Sequence, residues 1–546
     1  MPSLAAYQDQ LRASGHWYQF YVGFWLGKAI VTGTISATPL NGATSLSYTL
    51  ATGSASDIRR GYRVVIKTSA GAVKGAWRVR NSGTISATQL PIRELSTATI
   101  PVVAGDLVEV WNVIQPGDKL VTADSSFAPD GETYSSQNAL LPPLANTGGH
   151  DIGFCDPGQN YRTVQFAGSL SQIVDADSAG TITHSWSAPT ATGSTSSSAA
   201  DPTFTFPPGE HVVTYTATDA SNAASWTTYR RVRVYDADDP PYECVLESLE
   251  SDVETGTRAR FRLFADADLA TLYDGAMGAV FVREWFAGAN ASYGSDSAGR
   301  SHIKAIGYLR RDETRYEAGN GVTSLSFELI SPLEFYRNVL NYSKAAERVT
   351  TPVNWGELED LSVWRMIVQI VRRYTWLTES WDLIRHATFT DQPYTLFTVD
   401  KADPITQALD LADAVDARVV CTRDGRFEVQ ADPDLIPLDE RAAITTTLAI
   451  DGRDYADFDL RREHWSPVEV VRANGFVAGT TSPLPTFFVK WPGQAPGEGT
   501  INEAAERLIV SSITDAYDRV GLRGARVNGT YTDSNEVTHR AIEGDI

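Results

Sequence analysis

Three cysteines in 546 residues, at 155, 244 and 421, are too few and too far apart for a disulfide scaffold or a thiolate zinc site. The expectation is three free thiols, made in a reducing cytoplasm. Long apolar runs are missing too. No window approaches eighteen uninterrupted apolar residues, so no membrane-spanning helix is expected. The opening MPSLAAYQDQLRASGHW has no apolar stretch after a basic start, so the expectation is that the chain is not exported through a standard signal peptide. Positive charge is scarce, with 46 bases against 67 acids and a net charge of −21. Such a surface repels nucleic acid and disfavours sequence-specific reading of DNA, while allowing DNA to pass without sticking.

The usual catalytic signatures are missing as well. The eight histidines (16, 150, 184, 211, 302, 386, 464, 539) form no HExxH and no close pair. No GxSxG elbow, GxxxxGK[ST] cradle or GxGxxG fingerprint occurs. DADSAG at 175–180 faintly resembles a calcium loop but lacks the distal glutamate, and a solvated turn is the plainer reading. A distant pair of glycosidase carboxylates is invisible in one sequence. The expectation is a protein that is not an enzyme and binds no cofactor or metal.

What the sequence does have is strand patterning, and a chain this long implies several domains. Residues 1–125 read as a β-rich domain. GTISATPL (33–40) and GTISATQL (83–90) suggest equivalent hairpins of one β-domain, and YRVVIKT, AWRVR and DLVEVWNV alternate apolar and polar side chains. The aromatic run WYQFYVGFW (17–25) reads as a strand that plugs this domain's core or meets a neighbouring subunit, with a sugar-stacking platform as the alternative. The Ser/Pro/Gly-rich stretch 126–149, ending in LPPLANTGG, reads as a linker.

Residues 150–236 read as a second β-unit. Trp186 is placed to face the hairpin strand of Val213, Tyr215 and Ala217, the way small sandwiches fill their cores. DADDPP (236–241) marks a boundary. Beyond it come the strands RARFRLFA, GAVFVREWF, SHIKAIGYL and TSLSFELI, and then PLEFYRNVL, which turns helical. Further on, 363–374 and 503–520 show helical 3/4 spacing.

One stretch tests whether the acids are catalytic. DPITQALDLADAVDARVVCTRDGRFEVQADP (403–433) carries seven carboxylates. Asp403 can cap a helix starting at Pro404, and Ile405, Ala408, Leu409, Ala412 and Val415 share one face. Asp410, Asp413 and Asp416 fall off that stripe and point to solvent. Asp424–Gly425 favours a two-residue hairpin. The unit is structural.

Residues 150–236, through ITHSW (182–186) and the tyrosine- and valine-bearing strands of 204–236, resemble the PKD-type immunoglobulin-like fold. From about residue 243 onward, the order of elements resembles the central tail-hub or baseplate-hub proteins of tailed phages and contractile injection systems. Those elements are the strands through GAVFVREWF, the tryptophan-led helix, the helix–hairpin unit, SPVEVVRANGFVAG (466–479) and the segment 503–520. The resemblance implies a mainly β chain with an α+β C-terminal part. In it an N-terminal β-domain and an Ig-like sandwich precede a first tube-like barrel (243–340), a helix-containing hub segment (341–465) and the remainder of a second barrel (466–546). It further implies a homotrimeric ring in the virion, whose barrel edges pair between copies around a channel for DNA or tape-measure protein. The implied neighbours are the tail tube or distal tail protein and a tip or fibre protein; since the sequence ends at EVTHRAIEGDI, another polypeptide is expected to pierce. Arg258, Arg260, Arg283, Trp285 and Val470 are the residues expected at subunit contacts. The rival readings are a glycan-binding adhesin and a polysaccharide-cleaving tail enzyme.

Overall fold

The computed structural model describes residues 16–80, 83–92, 101–115, 120–121, 143–156, 158–174, 180–190, 193–221, 223–252, 256–264, 272–286, 300–319, 322–341, 362–365, 367–368, 382–392, 404–422, 425–432, 470–477, 487–490, 503–510, 530–532 and 538–540. The chain is mainly β, and its organising element is a closed six-stranded barrel.

The barrel begins with β1 (His16–Trp25) and then breaks off for two inserted β-units. The first contains β2 (Ala29–Ile35), β3 (Ser45–Thr52), β4 (Tyr62–Lys67), β5 (Val73–Arg78), β6 (Gln89–Pro91) and β7 (Leu107–Ile114). They form one sheet in the order β5-β4-β7-β2-β3-β6. Alternating residues such as Val31, Tyr48, Val64, Ile66, Val108 and Val110 make its core. The two GTISAT repeats are not equivalent hairpins. They flank β3 from opposite sides, Ser36 N donating to Ser47 O (2.9 Å) and Tyr48 N to Thr88 O (3.1 Å). The first copy supplies the end of β2, whereas only the last two residues of the second lie in β6.

After β8 (Leu120–Val121) comes the second unit. It holds β9 (Asp151–Phe154), β10 (Arg162–Gln165), β11 (Ile182–Thr190), β12 (Gly193–Ser197), β13 (Thr203–Phe206), β14 (Gly209–Asp219) and β15 (Ser225–Tyr235). A five-stranded sheet (β12-β11-β14-β15-β9) faces the two-stranded β10-β13, a sandwich in arrangement. Trp186 lies opposite Tyr215 in register, as the sequence suggests, and the two rings stack at 3.9 Å in the core.

The chain then returns to the barrel with β16 (Tyr242–Asp252), β17 (Gly256–Phe264), β18 (Met277–Phe286), β19 (Arg300–Gly319) and β20 (Val322–Ile330). The cyclic order is β1-β16-β17-β20-β19-β18. The boundary at 243 therefore omits a strand, because β1 pairs with β18 over ten residue pairs, from His16↔Phe286 to Trp25↔Met277. Its aromatic run does not plug the core of the N-terminal unit, which contains no β1 residue. Val22 and Phe24 join a cluster drawn from all six barrel strands, including Phe261, Val280, Ala305 and Phe327, which fills the barrel interior. Tyr21 and Trp25 point the other way, into a second cluster with Ile152, Tyr235, Phe281 and Tyr308. Over residues 21–25 both faces of β1 are buried, which is why that half of the strand reads as a continuous apolar run instead of an alternating one.

Helix α1 (Pro332–Val339) follows the barrel, then β21 (Leu340–Asn341), which pairs with β8. Residues 363–365 and 367–368 are helical; the rest of the 363–374 helix lies outside the described residues. Beyond them lie β22 (Leu383–Arg385), helix α2 (Pro404–Asp413), β23 (Ala417–Cys421) and β24 (Phe427–Ala431). Helix α2 starts at Pro404 as expected, its proposed cap Asp403 lying outside the described residues. Ile405, Ala408 and Ala412 are buried and Asp410 and Asp413 exposed. Asp416 does something the pattern does not announce. Its φ is +56°, and its N–H bonds Asp413 O, so it turns the chain just past the helix where glycine is usual. The hairpin differs as well. Thr422 N bonds Arg426 O and Gly425 N bonds Thr422 O, with Gly425 at φ +87°, so the loop spans three residues, not two.

The C-terminal part contains β25 (Val470–Val477), β26 (Phe487–Lys490), β27 (Glu503–Val510), β28 (Thr530–Thr532) and β29 (Thr538–Arg540). Here the helix expected from 503 is corrected: 503–510 is a strand, paired in parallel with β25 over eight residue pairs, and 511–520 lies outside the described residues. Pairing with a distant strand overrides a short 3/4 pattern rich in branched residues. Among the described residues this region forms a three-stranded sheet and a hairpin, not a closed second barrel.

Candidate functional site

Where the barrel wall, the two inserted β-units and the β22–β24 unit converge, several polar residues are buried, among them Asn146, Thr147, His150, Arg230, Arg231 and Asp382. The junction is built on β1. Gly23 sits where a Cβ would come within 2.6 Å of the Tyr235 hydroxyl and 2.7 Å of Ile152 Cδ1, so only glycine lets the barrel approach the sandwich this closely. Through the gap, Phe24 N donates to Tyr235 Oη at 3.0 Å. Leu26 N donates to Glu210 Oε2 (3.1 Å), and Arg231 donates to Glu210 Oε1 (2.8 Å) and to Asn112 O (3.1 Å). One Arg–Glu pair thereby ties the sandwich to the barrel exit and to the first inserted unit. Arg63 lies 3.6 Å over the Tyr273 ring, whose hydroxyl donates to Leu26 O.

The stretch read as a linker supplies the other half of the junction. Residues 126–142 lie outside the described residues, but Leu144 through Thr147, Gly149 and His150 are buried. Gly148 and Gly149 adopt φ of +88° and +85°. That turn aims three successive N–H groups at one oxygen: Asp382 Oδ2 accepts from Thr147 N (2.8 Å), Gly148 N (2.5 Å) and Gly149 N (2.7 Å). Such a concave row of amides is an anion nest, and the Thr147 hydroxyl adds a fourth donor, 3.1 Å from Oδ1 and 3.2 Å from Oδ2. Arg230 closes it from behind, donating to Thr147 O and Gln165 O at 3.0 Å each. Burial pushes the Asp382 carboxyl above its ordinary range, while the three backbone donors and Arg230 pull the other way. Two further links join the same bodies: Gln172 exchanges hydrogen bonds with the Arg385 backbone, and Arg365 Nε donates to Val174 O at 3.0 Å. A glycine-rich segment thus acts as a clamp.

His150, next in the chain, is wholly buried. Its Nδ1 accepts from Arg231 N at 3.0 Å, which places any ring proton on Nε2. Burial, then the charges of Arg231 and Arg230, lower its pKa to about 3, so the ring is neutral at physiological pH. Cys244, inside the barrel, is pushed up to about 12 by burial and is chemically quiet.

Of the residues expected at subunit contacts, three have described partners within the chain. Arg258 bonds Glu334 on α1 (2.8 Å), and Arg260 reaches the buried Glu328 across the β17–β20 pair (3.4 Å). Arg283 covers the Phe154 ring at 4.3 Å, within the barrel–sandwich contact. These three arginines therefore make contacts inside the chain, because their strands lie against other parts of the same fold. Trp285 lies on β18 opposite Trp17, and Val470 on β25 between Lys490 and Glu503; their side chains are outside the described residues. Among the described residues no cluster of three or more His, Cys, Asp or Glu could hold a metal ion. Nor is any described helix long and apolar enough to cross a membrane. Residues 175–179 of DADSAG lie outside the described residues.

No protein family matches the chain, and no curated protein matches it. Among solved structures, the tail protein from Neisseria meningitidis MC58 is 12% identical, covering 53% of this chain and 77% of that one with a TM-score of 0.33. The 43 kDa tail protein of prophage MuSo2 from Shewanella oneidensis is 11% identical, covering 52% and 76% with a TM-score of 0.28. At TM-scores below 0.5 neither likeness assigns a fold or a function to this chain.

Proposed function

We propose that this chain is a structural component of a phage-type tail: a hub that forms a ring of three copies between the tail tube or distal tail protein and the tip or fibre protein. Its role is non-enzymatic and mechanical. The observation that carries the reading is the split barrel. A closed cylinder whose outer wall is clamped, through β1, Tyr235, Glu210 and Asp382, to two β-units and a helical unit is a rigid wedge, suited to bearing load in an annulus.

The packing of the barrel bears on the channel in this reading. Its interior is packed with Phe24, Phe261, Val280 and Phe327 and is no pore. DNA and the tape-measure protein would pass through the lumen between copies, and the net charge of −21 keeps the DNA from sticking there. Closure in cis also changes how copies meet. The edge-to-edge pairing expected of the first barrel has few free edges to use, since each of its strands has two neighbours. Copies of this barrel therefore pack wall to wall. The chain belongs to the virion and serves genome ejection. Native mass measurement of the purified chain tests the reading. Three times the 59.4 kDa chain mass supports it, and a monomer at all concentrations refutes it.

A further inference from the structure

The barrel has one imperfect join. Strands β1 and β16 pair only at Val22↔Tyr242, Tyr21↔Glu243 and Phe20↔Cys244. Continued, the antiparallel register would bring Gln19 against Val245 and Tyr18 against Leu246, but no such pairs form. Among the described residues, β1 runs on to His16 along β18 alone, and β16 runs on to Asp252 along β17 alone. The parting coincides with a bulge between Leu246 and Ser248, which bends β16 away. The facing edges of residues 16–19 and 245–252 thus flank a wedge-shaped seam.

Two features of the seam point to an occupant. First, it is apolar. Of the seven large hydrophobic residues exposed among the described residues, Tyr18 (58%), Val245 (49%) and Leu249 (43%) all lie on its two strands. Half-buried Phe20 and Leu246 lead from there into the barrel core. Second, its rim is acidic. Glu243, Glu247 and Glu250 stand along β16, and the arginines of β17 do not offset them all. Arg262 bonds Glu247 at 2.6 Å, whereas Arg258 and Arg260 are directed to Glu334 and Glu328. A second copy, itself at −21, is a poor electrostatic match for such a rim.

We propose that the seam accepts an extended segment of a different protein, alternating apolar with basic side chains, which adds as a strand along the edge of β16. Backbone groups of residues 245–252 supply the hydrogen bonds. Apolar side chains of the guest enter beside Leu249 and Tyr18, and its lysines or arginines face the glutamates, the division of labour found in strand addition generally. The site goes beyond the hub reading and does not depend on it.

The test uses the full chain and a fluorescent peptide of about ten residues that alternates valine and lysine. Binding should raise the peptide's anisotropy and slow amide exchange across 245–249. A Val245→Lys/Leu249→Lys variant, both positions being exposed, should melt unchanged and bind at least tenfold more weakly. A valine–glutamate peptide should not bind. Four results would overturn the proposal: no binding at about 1 mM peptide; equal binding of a backbone N-methylated peptide, meaning charge attraction without strand addition; amides at 245–249 already fully protected in the free protein; or loss of self-association in the double-lysine variant, which would make a second copy the occupant.

Discussion

Replacing Asp382 with alanine is the sharpest perturbation of the junction. The carboxylate oxygen receives three backbone N–H groups at 2.5–2.8 Å, and the residue is 2% exposed. Each hydrogen bond to a buried charged group is worth about 1.5–3 kcal/mol. Summing three such bonds overstates the loss, because the turn relaxes and bonds to one oxygen are not independent. Removal of one partner from a buried charged pair costs about 3–5 kcal/mol, a better guide here. Asparagine keeps one acceptor oxygen but presents an amide to donors, so its cost should be about 1–3 kcal/mol. A chain of several domains does not unfold in one step, so global denaturation is the wrong readout. Amide exchange at Thr147, Gly148 and Gly149 reports the clamp locally. At 1.4 kcal/mol per factor of ten, the alanine variant should open these amides at least about 100-fold more often, and the asparagine variant about tenfold. Amides in the first inserted unit, such as Val64 and Val110, should be unaffected. Unchanged exchange at the three clamp amides in the alanine variant would refute the assignment.

Three other outcomes follow from the same geometry. Gly23→Ala should destabilise the barrel–sandwich contact by about 1–3 kcal/mol through overpacking against Tyr235 and Ile152, seen as a lowered Tm with faster exchange at Phe24. His150 is neutral when folded, with a pKa of about 3 against an ordinary 6.5, so between those values the unfolded chain binds the extra proton. Stability should therefore fall on acidification through that window by about 1.4 kcal/mol per pH unit, and His150→Gln should flatten this slope; equal slopes would count against the buried neutral ring. Proline at Val282 should collapse the barrel, because β18 is bonded to β1 on one side and β19 on the other. Circular dichroism retaining the full strand signal would contradict it.

What could be read from the sequence was local. Helix α2 declared itself through Pro404 and a 3/4 stripe, and Trp186 against Tyr215 through strand alternation, because each depends on neighbours within a few dozen residues. The role of β1 was hidden by distance, since its bonded partner Tyr235 lies 211 residues away from Phe24. Its two-faced burial could have been suspected from YVGFW, a run too apolar for a half-exposed strand. The nest was hidden by composition. LPPLANTGG looks like a linker because glycines at positive φ serve loops and anion nests equally, and only the arrival of Asp382 distinguishes them. At 503–510 the periodicity itself misled, as Ala505, Leu508 and Ile509 fit a helix while the backbone pairs with β25.

The account depends most on β1 closing the barrel within its own chain. A double variant with cysteines at Tyr18 and Glu284, which face each other in the β1–β18 register, tests this directly under mild oxidation followed by peptide mapping. The predicted result is a disulfide joining the two peptides within one chain at every protein concentration. A link found only between chains, or none under conditions that oxidise an accessible pair, would contradict the account.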